Sequence, residues 1–239
     1  MIKTWQTWKS QHDLRSASSY TLNDRLPFFD IAGKHLPDDK DAFIVDIGAG
    51  DGYFAQHLGL NQYRNLFLLD GNAASVADLQ ASFQNALIYV APGKLPFEDN
   101  TVAYIHCSHL IEHLSSSDLY DFLQEMDRVL IDSGIIVVST PMLWSRFYDD
   151  LTHVRPYNPT VFQHYLMAER RNRTRDVISG NYSIVELVYR YGVEDVSEGL
   201  HSDNLILDAA IELTKRALYR IGLKRYRKNG YTLVLQKSR

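Results

Sequence analysis

Between residues 42 and 140, short apolar segments alternate with segments that have the apolar spacing of helices. The apolar runs begin near Phe43, Asn65, Ala86, Val102 and Ile135, and they are apolar throughout instead of alternating with polar side chains. Such strands are buried on both faces, and their alternation with helices is typical of a parallel sheet covered by helices. We therefore expect an α/β fold, a Rossmann-like doubly wound sheet that is mostly parallel with an antiparallel final strand at 231–236.

Helical spacing is present at 51–60, 72–83, 119–130, 160–171 and 204–223, and a further strand is expected at 183–190. Ser116 is a suitable N-cap for the helix over 119–130. We expect residues 1–40 to form a helical lead-in and residues 41–239 to form one domain. Within that domain, residues 141–158 form a loop on the substrate side, and residues 204–223 form a basic amphipathic helix.

Charge and cysteine content exclude several classes of protein. The 239 residues include one cysteine, Cys107, which excludes an internal disulfide framework and a multi-cysteine zinc site. No apolar run approaches the roughly 20 residues needed to span a bilayer, and no signal peptide is visible, so we expect a cytoplasmic protein.

The net charge of −4 is an average, because residues 1–213 carry −13 and residues 214–239 carry +9.

A glycine-rich loop follows the first predicted strand, with glycines at 48, 50 and 52. Glycines there allow a tight turn from strand to helix and a close approach of backbone amides to a ligand. A dinucleotide fingerprint would place the third glycine at 53, where this chain has Tyr53. Asp46 precedes the loop and suits an ammonium group better than a pyrophosphate. Asp70, at the end of the second strand, can accept both hydroxyls of a ribose.

Taken together, these motifs resemble those of the class I S-adenosylmethionine-dependent methyltransferases, from about residue 43 to residue 157. Gly48-Ala-Gly-Asp-Gly matches the first motif of that family, and Leu69-Asp70 matches the acidic end of its second strand. The segment that begins Gly93-Lys-Leu-Pro-Phe is similar to the approach to its fourth strand. His109-Leu-Ile-Glu-His resembles its "H-x-x-E-H" turn, and Met126-Asp-Arg-Val-Leu-Ile-Asp-Ser-Gly resembles its approach to strand five.

The resemblance implies that S-adenosylmethionine is the cofactor. It implies that Asp46 faces the methionine amino group, directly or through water, and that Asp70 binds the ribose hydroxyls. Many relatives carry an Asp where this chain has Ala91, so backbone atoms near Ala91 and Pro92 are expected to supply the adenine contacts. The cofactor-binding residues implied in this way are Asp46, Gly48, Ala49, Gly50, Gly52, Asp70, Gly71, Asn72, Ala91, Pro92 and Ser108.

Three histidines are candidates for the chemistry. Methyl transfer is an in-line displacement in which the enzyme mainly orients the acceptor, and a hydroxyl acceptor benefits from a histidine base. His109 and His113 follow strand four, and His153 lies in a segment that resembles an "H-x-R-x-Y" loop over the active site. We expect His153 to be the base or a substrate contact, followed by His109 and then His113. Arg155 and Tyr157 are candidate substrate-binding residues, although a structural role is as plausible for each histidine and a solvated one for Arg155.

The turn His109-x-x-Glu112-His113 also matches the inverted zinc-protease motif. That interpretation requires a third ligand and leaves the glycine loop unexplained, so no metal site is assigned from the sequence. Cys107 is interpreted as a small buried residue and not as a cytosine-type nucleophile.

The acceptor is the least determined part of the function. The His153 loop and the basic tail are faintly similar to methylases of cell-surface polysaccharide synthesis, which suggests the hydroxyl of a sugar or glycan. A small metabolite or quinone-like acceptor, an RNA and a non-catalytic cofactor-binding scaffold are alternatives. The basic helix can lie on an anionic membrane at its inner face or hold a phosphorylated acceptor, or it can simply cover the sheet with its basic face in water.

Overall fold

A computed structural model describes residues 22–167, 175–194, 202–221 and 225–238. In these ranges seven strands form a single sheet. The strands are β1 (Phe43–Ile47), β2 (Asn65–Asp70), β3 (Ala86–Ile88), β4 (Val102–Ser108), β5 (Leu130–Pro141), β6 (Tyr182–Glu194) and β7 (Arg225–Lys237). The helices are α1 (Leu22–Gly33), α2 (Tyr53–His57), α3 (Ala73–Gln80), α4 (Ser116–Val129), α5 (Thr160–Leu166) and α6 (Leu205–Arg220).

The strand order is β3-β2-β1-β4-β5-β7-β6. Strands β1 to β5 pair in parallel, and β7 runs antiparallel to both of its neighbours. This arrangement confirms the predicted Rossmann-like doubly wound sheet with an antiparallel final strand. The order reverses between β1 and β4, so the carboxyl ends of these two strands flank the crevice in which such sheets bind ligands.

Two apolar clusters cover the two faces of the sheet. Successive strand residues point to opposite faces, so Ile44 and Val45 of β1 enter different clusters. The Ile44 cluster includes residues of α1, α2 and α3, and the Val45 cluster includes the apolar stripe of α4. Burial of both faces explains why the strands are apolar throughout.

Helix α4 begins with a capping box. The Ser115 side chain accepts a hydrogen bond from the Asp118 amide, and the Asp118 carboxylate accepts one from the Ser115 amide. The predicted cap, Ser116, is therefore wrong by one residue. Ser116 instead accepts a hydrogen bond from Arg155 through its hydroxyl, at 2.7 Å.

Other element boundaries differ from the predictions. Strand β5 begins at Leu130, directly after α4, and α5 ends at Leu166. Helix α1 lies within the predicted lead-in, whereas residues 1–21 lie outside the described part of the chain. The predicted continuation of α5 to residue 171 and of α6 to residue 223 also reaches undescribed residues.

One interpretation of the sequence is that α6 covers the sheet with its apolar face and exposes its basic face to water. The structure shows a different orientation. Leu205, Ile206 and Leu213 are 86%, 82% and 68% exposed, whereas Lys215 is 5% exposed and donates to Glu212 at 2.8 Å. The apolar stripe of α6 therefore faces outward. In the described part of the chain, no helix has the length and apolarity required to cross a membrane.

Candidate active site

The glycine loop turns the chain from β1 into α2. Gly48, Gly50 and Gly52 have φ angles of +77°, +57° and +74°, which L-amino acids with side chains rarely adopt. The Gly48 amide donates to the Leu69 carbonyl at 2.8 Å, which holds the start of the loop against β2. At Gly50, no atom of the described residues lies within 4 Å of an added Cβ. The middle of the loop is therefore open.

Asp70 joins the glycine loop to the end of β2. Its Oδ2 accepts from the Gly50 amide and its Oδ1 from the Asn72 amide, each at 2.8 Å. Asn72 in turn caps α3 by accepting from the Ala74 amide at 2.9 Å. Asp70 is partly exposed, so its carboxylate fixes both loops and retains further acceptor capacity toward the crevice.

The loop after β3 borders the same region. Val90 is 66% exposed, and the Ala91–Pro92 peptide bond is cis. A Cβ added to Gly71 would lie 3.5 Å from the Tyr89 carbonyl and from the Val90 side chain. Gly71 therefore brings the end of β2 into close contact with the segment that leads to Ala91.

Asp46 lies under the glycine loop and pairs with a histidine from the neighbouring strand. Its Oδ1 is 2.7 Å from Nδ1 of His106, and both residues are almost fully buried. The His106 ring stacks on Phe54 at a centroid distance of 3.6 Å. Asp46 Oδ2 and His106 Nε2 have no hydrogen-bond partner among the described residues. Asp46 therefore keeps one buried oxygen able to accept another hydrogen bond.

A cavity of about 500 Å³ opens beside the glycine loop, at the carboxyl end of β4. It brings together all three predicted catalytic histidines with Gly48 and Ser108. Its lining residues are Arg25, Gly48, Ser108, His109, Glu112, His113, Trp144, Arg146, Asp149, Asp150 and His153.

Glu112 is a fully buried carboxylate among the residues that line this cavity. Its backbone carbonyl accepts from the amides of Val154 and Arg155, at 2.8 and 3.1 Å, and so holds the loop after β5 against the turn after β4. Its Oε2 accepts from the Thr140 hydroxyl at 3.1 Å. Its Oε1 lies 3.1 Å from Nδ1 of His109 but makes no well-aligned hydrogen bond.

His109 has both ring nitrogens occupied by neighbours. Nε2 is 3.2 Å from Nη1 of Arg190, which can only donate, so the ring proton is on Nδ1, facing Glu112. Burial lowers the pKa of His109 to about 4, against the opposing effect of Glu112. His109 also has a left-handed backbone, with φ of +54°. This neutral histidine is held in place and has no free nitrogen for an acceptor proton.

The hydrogen bonds of His113 and His153 differ from those of His109, because each ring uses Nδ1 to donate to a backbone carbonyl. Nδ1 of His113 donates to the Thr152 carbonyl at 3.0 Å, and Nδ1 of His153 donates to the Phe147 carbonyl at 2.6 Å. A carbonyl only accepts, so each ring carries its proton on Nδ1 and a lone pair on Nε2. The ring centroids are 5.1 Å apart.

Arg155 and Tyr157 lie away from this cavity. They line a separate cavity of about 400 Å³ beside α4 and α5. Arg155 donates to Ser116 at 2.7 Å, and the buried Tyr157 donates through its hydroxyl to the Leu114 carbonyl at 2.9 Å. The histidine cavity and the two predicted substrate-binding residues are therefore on different surfaces.

The sequence prediction omitted His106, Glu112 and Arg190 as site residues. His106 had a detectable signal, because it and Asp46 are polar residues in apolar strands and pair in register across β1 and β4. Glu112 was visible only as part of a motif. Arg190 comes from β6, more than 80 residues from His109, and no local pattern connects the two.

Comparison with known proteins identifies a methyltransferase domain in this chain. A family model described as a methyltransferase domain matches residues 45–138. The malonyl-[acyl-carrier protein] O-methyltransferase 1 of Coxiella burnetii is 36% identical over 122 residues, which are 48% of this chain and 41% of that protein. This chain therefore matches about two fifths of the length of that relative.

Solved structures share the fold at low identity. An S-adenosylmethionine-dependent methyltransferase from Archaeoglobus fulgidus superposes with a TM-score of 0.55 at 19% identity, over 89% of this chain and 94% of that one. A geranyl diphosphate methyltransferase in complex with S-adenosylmethionine superposes with a TM-score of 0.56 at 14% identity, over 90% of this chain and 85% of that one.

We predict that the buried Asp46–His106 pair stabilises the fold next to the glycine loop. His106→Leu is expected to lower the free energy of unfolding by about 1–3 kcal/mol, because it leaves the Asp46 carboxyl buried without its partner. Chemical denaturation measures this loss. The double variant Asp46→Asn/His106→Leu should recover part of it, and equal stability of His106→Leu and wild type would contradict the pairing.

Proposed function

We propose that this chain, whose residues 45–138 form a domain of the class I S-adenosylmethionine-dependent methyltransferases, methylates a hydroxyl oxygen of a polar acceptor. S-adenosylmethionine is the cofactor of this family, and it supplies a methyl group on a positively charged sulfur. The observation that carries the proposal is the cavity that places His113 and His153 beside the glycine loop.

The residues at the glycine loop fit this cofactor. The open space at Gly50 and the positive φ angles leave a cradle for the methionine and ribose. Asp70 would hold the ribose hydroxyls, and the unpartnered Oδ2 of Asp46 matches the need of an ammonium group for a carboxylate. The exposed Val90 and the backbone of Ala91 would border the adenine.

The acceptor side then has two tasks. The leaving group of a methyl sulfonium is a neutral thioether, so the protein must chiefly orient the acceptor and deal with its proton. Both nitrogens of His109 are engaged, by Glu112 and Arg190. The lone pairs on Nε2 of His113 and His153 are therefore the groups that would meet an acceptor hydroxyl.

A sugar or glycan hydroxyl suits this cavity. The lining combines donors such as Arg146 with carboxylates such as Asp149 and Asp150, and it includes the indole of Trp144. A ligand with many hydroxyl groups can both donate to and accept from such a set.

A carboxylate acceptor is the second candidate. The relative from Coxiella burnetii is named as an O-methyltransferase of malonyl-[acyl-carrier protein], and the cavity lining includes Arg25 and Arg146. Guanidinium groups bind carboxylates in a bidentate manner. A carboxylate is already deprotonated at neutral pH, so it would make no use of the histidine lone pairs.

The outward stripe of α6 supports a peripheral contact with an anionic membrane. Exposed apolar residues including Ile206 and Leu213 share this helix with the exposed Arg216 and Arg220. A helix with an apolar stripe and neighbouring cations is suited to a membrane surface.

The cofactor assignment predicts that Asp70→Ala weakens S-adenosylmethionine binding about 10- to 150-fold, since it removes hydrogen bonds to a charged acceptor. Isothermal titration calorimetry measures the affinity. Asp121→Ala, on the exposed face of α4, is the matched control and should bind as wild type does. Unchanged affinity in Asp70→Ala, or no binding to wild type, would refute the assignment.

The acceptor assignment predicts a base-stable product. With S-adenosylmethionine labelled in the methyl group, a sugar or glycan acceptor yields a methyl ether, which survives mild alkali. A carboxylate acceptor such as a malonyl thioester yields a methyl ester, which releases labelled methanol. Screening both classes and finding only base-labile label would reject the hydroxyl proposal in favour of the carboxylate.

The membrane contact predicts that the protein sediments with phosphatidylserine-containing vesicles and not with pure phosphatidylcholine vesicles. Arg216→Gln and Arg220→Gln should each weaken this binding about fivefold, in line with roughly 1 kcal/mol per basic residue near an anionic surface. Ile206→Asp should also reduce it, whereas Leu151→Asp, an exposed apolar position outside α6, should not. Equal sedimentation with both vesicle types would rule out the proposal.

A further inference from the structure

We propose that Glu112, His113 and His153 bind a divalent metal ion of the first transition series in the cavity beside the glycine loop. This inference rests on the geometry of the three side chains and not on the identity of the acceptor. Two of the three residues, Glu112 and His113, belong to the turn that follows β4.

The three side chains are close enough to share one ion. One potential ligand atom from each lies within 4.8 Å of the others. An ion about 2.0–2.2 Å from each donor in tetrahedral geometry would hold the donors about 3.3–3.6 Å from one another. Side-chain movements of about 1 Å would therefore be enough to close the site.

The hydrogen bonds of both histidines favour metal binding. Metal-binding histidines usually donate the other ring N–H to a carbonyl or carboxylate, which fixes the ring and leaves a lone pair for the ion. His113 does this through Thr152, and His153 does it through Phe147. Nε2 of both rings is therefore in the protonation state that a metal requires.

Glu112 adds a buried negative charge that its surroundings only partly satisfy. The side chain is fully buried, and Oε1 faces the Nδ1–H of His109 at 3.1 Å without a well-aligned hydrogen bond. A buried carboxylate oxygen with only a poorly aligned donor is costly, and coordination to a cation is one of the ways in which proteins offset that cost. Glu112 also lines the cavity that contains both histidines.

The backbone already holds the ligands together. His113 follows Glu112 directly, and His153 precedes the two residues whose amides donate to the Glu112 carbonyl. The third ligand therefore comes from a loop that is anchored beside the other two. Because the backbone is anchored, the rearrangement on binding is confined to the side chains.

Two imidazoles and one carboxylate indicate the class of metal. Imidazole favours zinc, iron, nickel, cobalt and copper over magnesium and calcium, and three protein ligands leave coordination positions open. An acceptor hydroxyl bound at an open position would have a lowered pKa and would release its proton to solvent water.

The test uses untagged full-length protein that has been stripped with a chelator and dialysed. Titration with Co²⁺ or Zn²⁺ is expected to show one ion per chain, and Co²⁺ should develop the visible absorption of a low-coordinate nitrogen–oxygen site. His113→Ala and His153→Ala should each weaken binding at least tenfold. His164→Ala, which removes an exposed histidine of α5, should bind as wild type does.

Glu112→Gln provides a check that does not require removal of a buried side chain. It keeps the shape of the residue and the backbone anchor, and it should weaken binding at least tenfold while circular dichroism is unchanged. Absence of stoichiometric binding to wild type, or binding that persists in the double variant His113→Ala/His153→Ala, would overturn the proposal.

The test separates this inference from the proposed methylation. S-adenosylmethionine affinity is measured on the same stripped protein and should be retained, because Asp70 and the glycine loop do not contribute ligands. Failure of metal binding with intact cofactor binding would reject the metal site alone. Full turnover of stripped protein on an identified acceptor would reject the role of the ion in acceptor activation.

Discussion

Burial of the Glu112 carboxylate is the constraint on which the acceptor side of the structure depends. Its side chain receives the Thr140 hydroxyl from β5, and its carbonyl receives two amides from the loop after β5. One residue thus joins the end of β4, the end of β5 and the segment that carries His153. Since a buried carboxylate is strongly penalised without partners, these contacts are mutually dependent, and the loop is part of the site's framework.

The cofactor side is built by different means. There the backbone shapes the site. The glycines with positive φ angles form the tight loop, and the Asp70 carboxylate accepts from the amides of Gly50 and Asn72. Only short-range turns at the ends of β1 and β2 are needed. The acceptor side instead requires side chains from β4, β5 and β6 to meet. This division explains why one half of the crevice has a compact sequence motif and the other half does not.

The sequence predicted the fold well because apolar strands and glycine turns are local signals. Its limits were of three kinds. The cap of α4 was displaced by one residue, because Ser115 and Ser116 are chemically equivalent caps and only the backbone distinguishes them. Contacts across the chain, such as Arg190 with His109, have no local signature. Helix α6 shows the third limit, since periodicity identifies an apolar stripe but not the direction in which it faces.

The candidate site was predicted in part for the same reason. The histidines were found because they lie on the rim that a parallel sheet must present, but their roles depend on hydrogen bonds that the sequence does not contain. Arg155 and Tyr157 were grouped with His153 by proximity in the chain, yet both line the cavity beside α4. Separations of two and four residues from His153 were enough to place them in a different cavity.

The protonation of the histidines limits how the acceptor can be activated. Nδ1 of both His113 and His153 is held by a carbonyl, so each ring has one lone pair, on Nε2. That lone pair can accept a proton from a hydroxyl or bind a metal ion, but it cannot do both at once. If an ion is bound, the histidines can no longer act as bases. The ion would instead lower the pKa of the acceptor hydroxyl. A carboxylate acceptor is already deprotonated at neutral pH and would need neither, so the two acceptor classes place different demands on these histidines.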